Sequence, residues 1–188
     1  FVSYSIMKAH EGKLSFQSNK KTGTYFELSF KKPTDIEIED CDFSNPEHLN
    51  GICYLLDAYI GDQMGGGMPL NKLQQLRLVD GLNNHPTAIV LLALAGERPV
   101  GMLVAFENFS TFTVRPMVNI HDLIVLPEFR GLGIGRKLME AIEVRAREEG
   151  CSRITLEVRH DNVKAQTLYV SLDFQEADPP MYYWRKNL

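Results

Sequence analysis

The chain has 188 residues, of which 44% are hydrophobic and 23% are charged, and its formal net charge is −4. This length and composition predict a soluble globular chain with one well-buried domain and an appendage. The longest apolar run, residues 88–95, is too short to span a membrane. The three cysteines contain no CxxC pair, so we expect neither a disulfide framework nor a zinc site, and a reduced, cytoplasmic setting.

The charge is unevenly distributed along the chain. Residues 1–33 carry six Lys and two Glu, whereas residues 34–188 carry 14 basic and 22 acidic residues. The shift predicts a boundary near Pro33 between an N-terminal extension (1–33) and a main domain (34–188). An acidic main domain argues against a nucleic-acid partner, because phosphate contacts require clustered cations, and it weakly favours a cationic substrate.

The N-terminal extension is predicted to contain a β-hairpin. Residues 2–9 have the pattern of an apolar helical end. Residues 12–18 and 23–30 then alternate as strands do, with a polar turn between them.

The first half of the main domain is predicted to contain one strand and two helices. Residues 35–39 alternate as a strand, and the N-cap and proline of residues 44–47 start a helix that runs to about Tyr59. The glycine-rich residues 61–69 break the chain before a second helix at residues 70–82. The apolar face of that helix is predicted to comprise Leu70, Leu73, Leu76 and either Leu78 or Val79.

The second half is predicted to alternate strands and helices. Two strands, 87–94 and 100–106, flank the hairpin turn Gly96-Glu-Arg-Pro99. The remaining elements are a central strand at 117–126, a helix from Ile134 that ends at Gly150, a strand at 153–158, a helix at 162–172 and a closing strand at 181–185.

A glycine-rich turn connects the central strand to the long helix. Gly131, Gly133 and Gly135 allow the backbone to approach an anion without intervening Cβ atoms. The first N–H groups of a helix have no intrahelical partner, so a diphosphate there can accept several hydrogen bonds. The spacing matches neither a Rossmann fingerprint nor a Walker A loop. The remaining pattern is Arg130-x-x-Gly133-x-Gly135.

This pattern, placed after a hydrophobic strand, resembles the acetyl-CoA pyrophosphate loop of the GNAT N-acetyltransferases. Downstream, the segment from Asn162 to Phe174 is similar to the family's Asn-x-x-Ala-x-x-Leu-Tyr-x-x-x-Gly-Phe motif. One departure is Asp173 at the family's glycine, a position where left-handed backbone is common. The resemblance implies an α/β (α+β) fold with a mixed, mostly antiparallel central sheet flanked by helices on both faces, to which the N-terminal hairpin is an extension.

The same resemblance implies an enzyme that transfers an acetyl group from acetyl-CoA to a primary amine of a small molecule or peptide. The amine attacks directly in a ternary complex, without a metal or a membrane partner, and a homodimer is compatible with an exposed sheet edge. The implied coenzyme contacts are Leu123, Ile124, Val125, Arg130, Gly131, Leu132, Gly133, Ile134, Gly135, Arg136, Asn162 and Tyr169. Ordinary β-core packing is the alternative for the first three, and helix capping is a further role for Asn162.

Acetyl transfer requires a base for the ammonium and a proton donor for the departing thiolate. Tyr169 matches the family tyrosine that protonates the coenzyme sulfur, with packing as its alternative role. Asp122 is a carboxylate inside a hydrophobic strand and must have a partner or a function. Its setting is similar to that of aminoglycoside 3-N-acetyltransferases, so we expect it to act as the base or to anchor the amine, with Glu157 as the reserve base. His121 is predicted to be structural.

Substrate recognition in the family comes largely from the region between the first two helices, here residues 57–69. We therefore expect the acceptor amine to contact Tyr59, Asp62, Met64 and Asp122. The consecutive glycines 65–67 suit either a closing loop or a plain linker. Asp57 and Asp62 are positioned either to hold an ammonium or simply to face water.

Residues 1–32 have a resemblance of their own. His10-Glu-Gly-Lys-Leu followed by Gly23-Thr-Tyr-Phe resembles the end of a sensor histidine kinase ATPase domain. It implies a fragment of a longer kinase–acetyltransferase fusion that does not bind ATP here, because the nucleotide-binding boxes are absent; an ordinary hairpin extension is the alternative. The alternative function is a catalytically silent acyl-CoA-binding regulatory module of such a fusion.

Overall fold

The structure is a computed structural model that describes residues 13–19, 23–29, 35–62, 65 and 67–187. The helical end predicted for residues 2–9 lies outside these residues. The chain divides into two compact units, with the boundary between Asp35 and Ile36. Among the described helices, none is long and apolar enough to cross a membrane.

The first unit contains an antiparallel hairpin of β1 (Lys13–Asn19) and β2 (Gly23–Ser29). Phe16 lies opposite Phe26, with 6.1 Å between the ring centroids. On the other face, the Ser15 hydroxyl donates to the Glu27 carboxylate at 3.2 Å. The hairpin predicted from the alternating runs is therefore confirmed.

The second unit is built on a five-stranded sheet. Its strands are β3 (Ile36–Asp40), β4 (Ala88–Ala95), β5 (Arg98–Ser110), β6 (Arg115–Val125) and β7 (Ile154–Leu156). They lie in sequence order, and every neighbouring pair is antiparallel except β6 and β7, which are parallel. The predicted mixed, mostly antiparallel sheet is confirmed.

Helices flank this sheet, as predicted. They are α1 (Pro46–Ile60), α2 (Lys72–Asn84), α3 (Ile134–Glu148) and α4 (Val163–Val170), with a 3₁₀ turn at Pro127–Phe129. The first two begin at asparagine N-caps, since Asn45 accepts from the Glu47 N–H and Asn71 forms a capping box with Gln74.

The core lies between the sheet and the helices. Strand β4 is an unbroken apolar run and its central residues are buried, as expected for a strand covered on both faces. From the helices, Ile52 and Leu55 of α1 and Leu138 and Ile142 of α3 are fully buried. The sheet that carries the candidate site is therefore a rigid, well-packed support.

The predicted apolar face of α2 is partly wrong. Leu73 and Leu76 are exposed, whereas Leu78 and Leu82 pack against the core. The inward position one turn before Leu78 is taken by Gln75, whose amide donates to the Asp57 carboxylate of α1 at 3.1 Å. With Gln75, Leu78 and Leu82 on the inward side of the helix, Leu73 and Leu76 face outward.

The predicted closing strand at 181–185 is also wrong. The described residues 175–187 contain no strand, and the side chains of Met181, Tyr182, Tyr183 and Trp184 are between 79% and 88% exposed. A strand needs a neighbour for its N–H and C=O groups, and alternation in a sequence does not specify one. Strand β7 spans only Ile154–Leu156 and is therefore shorter than the strand predicted at residues 153–158.

Candidate active site

Residues 126–135, which we call the glycine loop, connect β6 to α3 and include the first two residues of that helix. Gly131 (φ 80°) and Gly133 (φ 78°) both have left-handed backbone. A Cβ atom at either position would meet nothing within 4 Å. Glycine is therefore favoured by the backbone conformation, which costs other residues about 1–2 kcal/mol, and not by lack of space.

The N-terminus of α3 presents free backbone donors. Gly133 is the N-cap and no side chain caps the helix; the first helical bond runs from the Lys137 N–H to the Gly133 carbonyl at 3.0 Å. Within the described residues, the N–H groups of Gly131, Leu132 and Gly133 have no hydrogen-bond acceptor. Together with the first helical turn they form a set of donors at the positive end of the helix dipole, which suits a diphosphate.

Gly135 and Arg136 connect α3 to α4. A Cβ atom at Gly135 would lie 3.3 Å from Leu168 Cδ2, so glycine allows α4 to approach closely. Arg136 Nη2 donates to Ser171 Oγ at 2.5 Å, and that hydroxyl donates to the Leu168 carbonyl at 2.6 Å. The structure thus supplies a packing reason for Gly135, and the coenzyme contacts expected of Gly135 and Arg136 stay predictions.

The Arg130 side chain makes two hydrogen bonds inside the protein. Its Nε donates to the Val125 carbonyl at 2.9 Å, and its Nη2 donates to Asp62 Oδ2 at 3.0 Å. The arginine of the motif therefore fastens the glycine loop to the end of β6 and to the residue just after α1. Its expected coenzyme contact stays a prediction.

Strand β6 changes its pairing beside Asp122. Val104 lies opposite Asp122 and Ala105 opposite Ile120, so His121 is an extra, bulged residue. On the other side, the parallel pairing of β6 with β7 ends at Ile120 and Leu156. Asp122 and the exposed Glu157 both follow this last pair, and so do Leu123, Ile124 and Val125. The structure thus brings the two candidate bases to the same end of the β6–β7 pair.

Asp122 is a half-buried carboxylate. Burial raises its pKa, and the neighbouring His121 acts in the opposite direction. In the described part of the chain these two are the causes of the shift, and no hydrogen bond to the carboxylate contributes to it. His121 itself is exposed, with its ring 5.9 Å from that of Phe106. A carboxylate whose pKa is raised by burial is a better proton acceptor than an exposed one.

Tyr169 is held on α4 by contacts at both ends of the helix. Asn162 caps its start by accepting from the Ala165 N–H at 3.2 Å. After its end, Asp173 has left-handed backbone (φ 63°), the conformation that is common at the family's glycine although aspartate tolerates it less well. The chain then returns so that Phe174 lies against Tyr169, with 6.0 Å between the ring centroids. Burial, followed by the nearby Tyr59, raises the pKa of the phenol, so Tyr169 stays protonated at neutral pH as an ordinary tyrosine does.

The residues expected to bind the acceptor have different surroundings. Tyr59 lies near Tyr169, as its effect on the phenol pKa indicates. Asp62 is paired with Arg130, and Asp57 accepts from the Leu70 N–H at 2.8 Å and from Gln75. Asp57 is therefore a structural residue that joins α1 to α2. Met64 lies outside the described residues.

Two structural connections of the site were not predicted from the sequence. The Arg130–Asp62 pair joins residues 68 apart, and the Arg136–Ser171 bond joins residues 35 apart. Neither has a local sequence signal, because a surface arginine has many carboxylates and hydroxyls available to it. The described residues contain no group of three or more His, Cys, Asp or Glu side chains arranged to hold a metal ion.

The chain is similar to known acetyltransferases. Aminoglycoside N(6')-acetyltransferase type 1 of Acinetobacter haemolyticus is 29% identical over 102 residues, which cover 53% of this chain and 70% of that protein. Thialysine N-epsilon-acetyltransferase of Mus musculus is 37% identical over 81 residues, but the match spans only 47% of it and 43% of this chain.

The fold is shared with solved structures. An aminoglycoside acetyltransferase, meta-AAC0020, from an uncultured soil metagenomic sample, solved in complex with sisomicin, aligns with a TM-score of 0.66. The alignment covers 80% of this chain and 97% of that chain at 21% identity. A model of the acetyltransferase (GNAT) family matches residues 30–174, which include the sheet, the glycine loop and α4. The chain therefore belongs to the GNAT family of acetyltransferases and is an acyltransferase.

Proposed function

We propose that this acyltransferase moves an acetyl group from acetyl-CoA to a primary amine. The observation that carries the proposal is the glycine loop, whose free N–H groups lie at the uncapped start of α3. An anion-binding site of this kind at the end of a central strand suits the diphosphate of coenzyme A. Acetyl-CoA, when bound, supplies a thioester carbonyl that an amine can attack.

Backbone groups of the site would hold and orient the coenzyme. The N–H groups of Gly131, Leu132 and Gly133 would bind the diphosphate. The backbone of Leu123 to Val125 lies beyond the last β6–β7 pair. Apart from the Val125 carbonyl, which accepts from Arg130, backbone groups on the β7 side of this stretch would bond to an extended arm and to the reacting carbonyl. Donors fixed in advance in this way stabilise negative charge that develops on a carbonyl oxygen.

Asp122 and Tyr169 would move the protons. Asp122, whose pKa burial raises, would take a proton from the ammonium, directly or through water. Tyr169, whose phenol is protonated at neutral pH as an ordinary tyrosine is, would donate to the thiolate. Glu157 is exposed after β7 and serves as the reserve base. Attack is direct, and no covalent protein intermediate is required.

The acceptor is a primary amine of a small molecule or peptide. Two relatives are named for acetylation of amines, one of an aminoglycoside and one of thialysine. The acidic main domain agrees with a cationic acceptor. Tyr59 and Asp62 line the acceptor side, where Asp62 acts with Arg130. The cytoplasmic setting and a homodimer stay predictions.

The kinase resemblance of residues 1–32 also stays a prediction, because a two-stranded hairpin is common to many folds.

Thiol release from acetyl-CoA, measured with thialysine, sisomicin and spermidine as acceptors, tests the proposed acetyl transfer. If the wild type turns over any of these amines and Asp122→Asn does not, the result supports the proposed enzyme. Coenzyme binding without turnover of any amine would contradict the proposal and favour the silent regulatory module.

A further inference from the structure

The arginine of the family motif here makes its bonds within the protein. Arg130 Nε donates to the Val125 carbonyl, and Arg130 Nη2 donates to Asp62 at 3.0 Å. The Asp62 side chain is only 19% exposed, whereas that of Arg130 is 48% exposed. One guanidinium thus contacts the end of β6, the glycine loop to which it belongs and the first residues after α1.

Asp62 lies in a segment that is fastened to α1 on both sides. The Asp62 N–H donates to the Tyr59 carbonyl at 3.0 Å, and the Gly67 N–H donates to the Ile60 carbonyl at 3.1 Å. Farther along, Asp57 accepts from the Leu70 N–H. The Asp62 carboxylate thus belongs to a segment whose described backbone groups bond to α1, and we expect loss of the carboxylate to loosen these groups.

We propose that Asp62 is a positioning residue that acts through Arg130 and couples the segment after α1 to the glycine loop. This inference rests on the proposed function, in which the glycine loop binds coenzyme and the segment after α1 faces the acceptor. Coenzyme that fixes the loop also fixes Arg130, and Arg130 in turn holds Asp62. Coupling between two binding sites is reciprocal, so the acceptor side in turn stabilises the loop.

The strength of the ion pair sets the size of the expected effect. A partly exposed pair contributes little, about 0.2–1 kcal/mol, and is weakened by salt. Loss of such a pair changes a local opening equilibrium by about 1.4- to 5-fold. The coupling is therefore a modest adjustment of affinity and order and does not act as an on–off switch.

Amide hydrogen exchange of the full chain, measured by mass spectrometry, tests the coupling. In the free protein we expect Asp62→Asn to raise exchange by about 1.4- to 5-fold in two peptides, residues 61–70 and residues 126–133. Asp62→Glu keeps the charge and should restore part of the protection. In an Arg130→Gln background, Asp62→Asn should add no further change in residues 126–133, because the pair through which Asp62 reaches the glycine loop is already broken.

Arg98→Gln provides a matched control. Arg98 pairs with Glu128 of the same loop at 3.1 Å and contacts the Phe129 ring, but both charged side chains are more than half exposed and the pair does not reach α1. This variant should leave residues 61–70 unchanged. If Asp62→Asn raises exchange only in its own peptide, the coupling is refuted.

A second arm uses free coenzyme A as the probe. In the wild type and in Arg98→Gln, saturating coenzyme A should slow exchange of residues 61–70, and Asp62→Asn should lose most of that effect. Retained protection in Asp62→Asn would overturn the inference. Calorimetry on the same samples reports whether coenzyme A binds at all, so failure of the proposed function is distinguished from failure of the coupling, which the free-protein arm decides.

Discussion

At the scale of single residues, the proposed proton transfers depend on two half-buried ionisable side chains, Asp122 and Tyr169. Asp122 follows the bulge in β6, and Tyr169 lies on α4 against Phe174. Burial raises both pKa values, which makes Asp122 a stronger base than an exposed carboxylate and keeps the Tyr169 phenol protonated. The sequence indicates both residues, Asp122 as a carboxylate in an apolar strand and Tyr169 as part of a motif, but only the structure shows how far each is buried.

Asp122→Asn should lower kcat/KM by about 10²–10⁴-fold, because a general base is removed. In the wild type, kcat/KM should rise with pH through the raised pKa of Asp122, and this limb should disappear in the variant. A pH–rate profile of thiol release measures both. An unchanged profile in Asp122→Asn would assign the base role to Glu157, whose substitution is the natural comparison.

The same substitution should stabilise the fold at neutral pH. A carboxyl group whose pKa is higher in the folded state binds its proton more tightly there, so stability falls as pH rises from the unfolded pKa, about 3.9, through the folded value. Asp122→Asn removes this loss. Urea unfolding at neutral pH should therefore show a gain in stability that disappears below about pH 3.9. If Asp122→Asn and the wild type were equally stable at neutral and at acidic pH, the charge on Asp122 would have no desolvation cost.

Tyr169→Phe distinguishes a proton donor from a packing residue. Phenylalanine retains the contact with Phe174, so a packing role predicts an unchanged kcat. Loss of a general acid predicts a decrease of about 10²-fold or more. The affinity for acetyl-CoA, measured by calorimetry, should stay within about threefold of the wild type in the donor case, since a proton transferred in the transition state contributes little to ground-state binding.

At the scale of secondary-structure elements, the sequence predicts features that depend on neighbouring residues better than features that depend on tertiary contacts. The N-cap of α1, the hairpin turn before β5 and the start of α3 at Ile134 depend on neighbouring residues, and the sequence predicts them. The outward turn of Leu73 and Leu76 depends on a bond between Gln75 and Asp57, 18 residues apart. The prediction of a closing strand was wrong for a similar reason, because a strand requires a neighbouring strand that alternation in the sequence does not identify.

Two glycines in neighbouring helices test how the elements pack. A Cβ atom at Gly51 of α1 would lie 2.4 Å from Pro99 Cγ at the start of β5, whereas one at Gly81 of α2 would meet nothing within 4 Å. Gly51→Ala should therefore destabilise the fold by about 1–3 kcal/mol through overpacking. Gly81→Ala is the matched control and should stabilise it by about 0.4–1 kcal/mol. Urea unfolding measures both, and destabilisation by Gly81→Ala with a neutral Gly51→Ala would contradict this packing.

At the scale of the whole molecule, one sheet supports all parts of the site. Strand β6 carries Asp122 and leads into the glycine loop, α3 provides an N-terminus that no side chain caps, and α4 packs on α3 through Gly135 and Leu168. The sequence predicted the sheet type, the loop and α4, because two motifs mark them. It did not predict that Arg130 would pair with Asp62, since that contact exists only after the elements have assembled.

The central claim is that the glycine loop binds the coenzyme diphosphate, and calorimetric titration with acetyl-CoA tests it most directly. The wild type should bind acetyl-CoA and free coenzyme A, and ATP in parallel should give no binding at this site. Gly133→Val should abolish acetyl-CoA binding, because valine disfavours left-handed backbone by about 1–2 kcal/mol or more and its displacement misplaces the N–H donors. Gly81→Ala should bind normally. Absence of acetyl-CoA binding by the folded wild-type chain, or undiminished binding by folded Gly133→Val, would contradict the account.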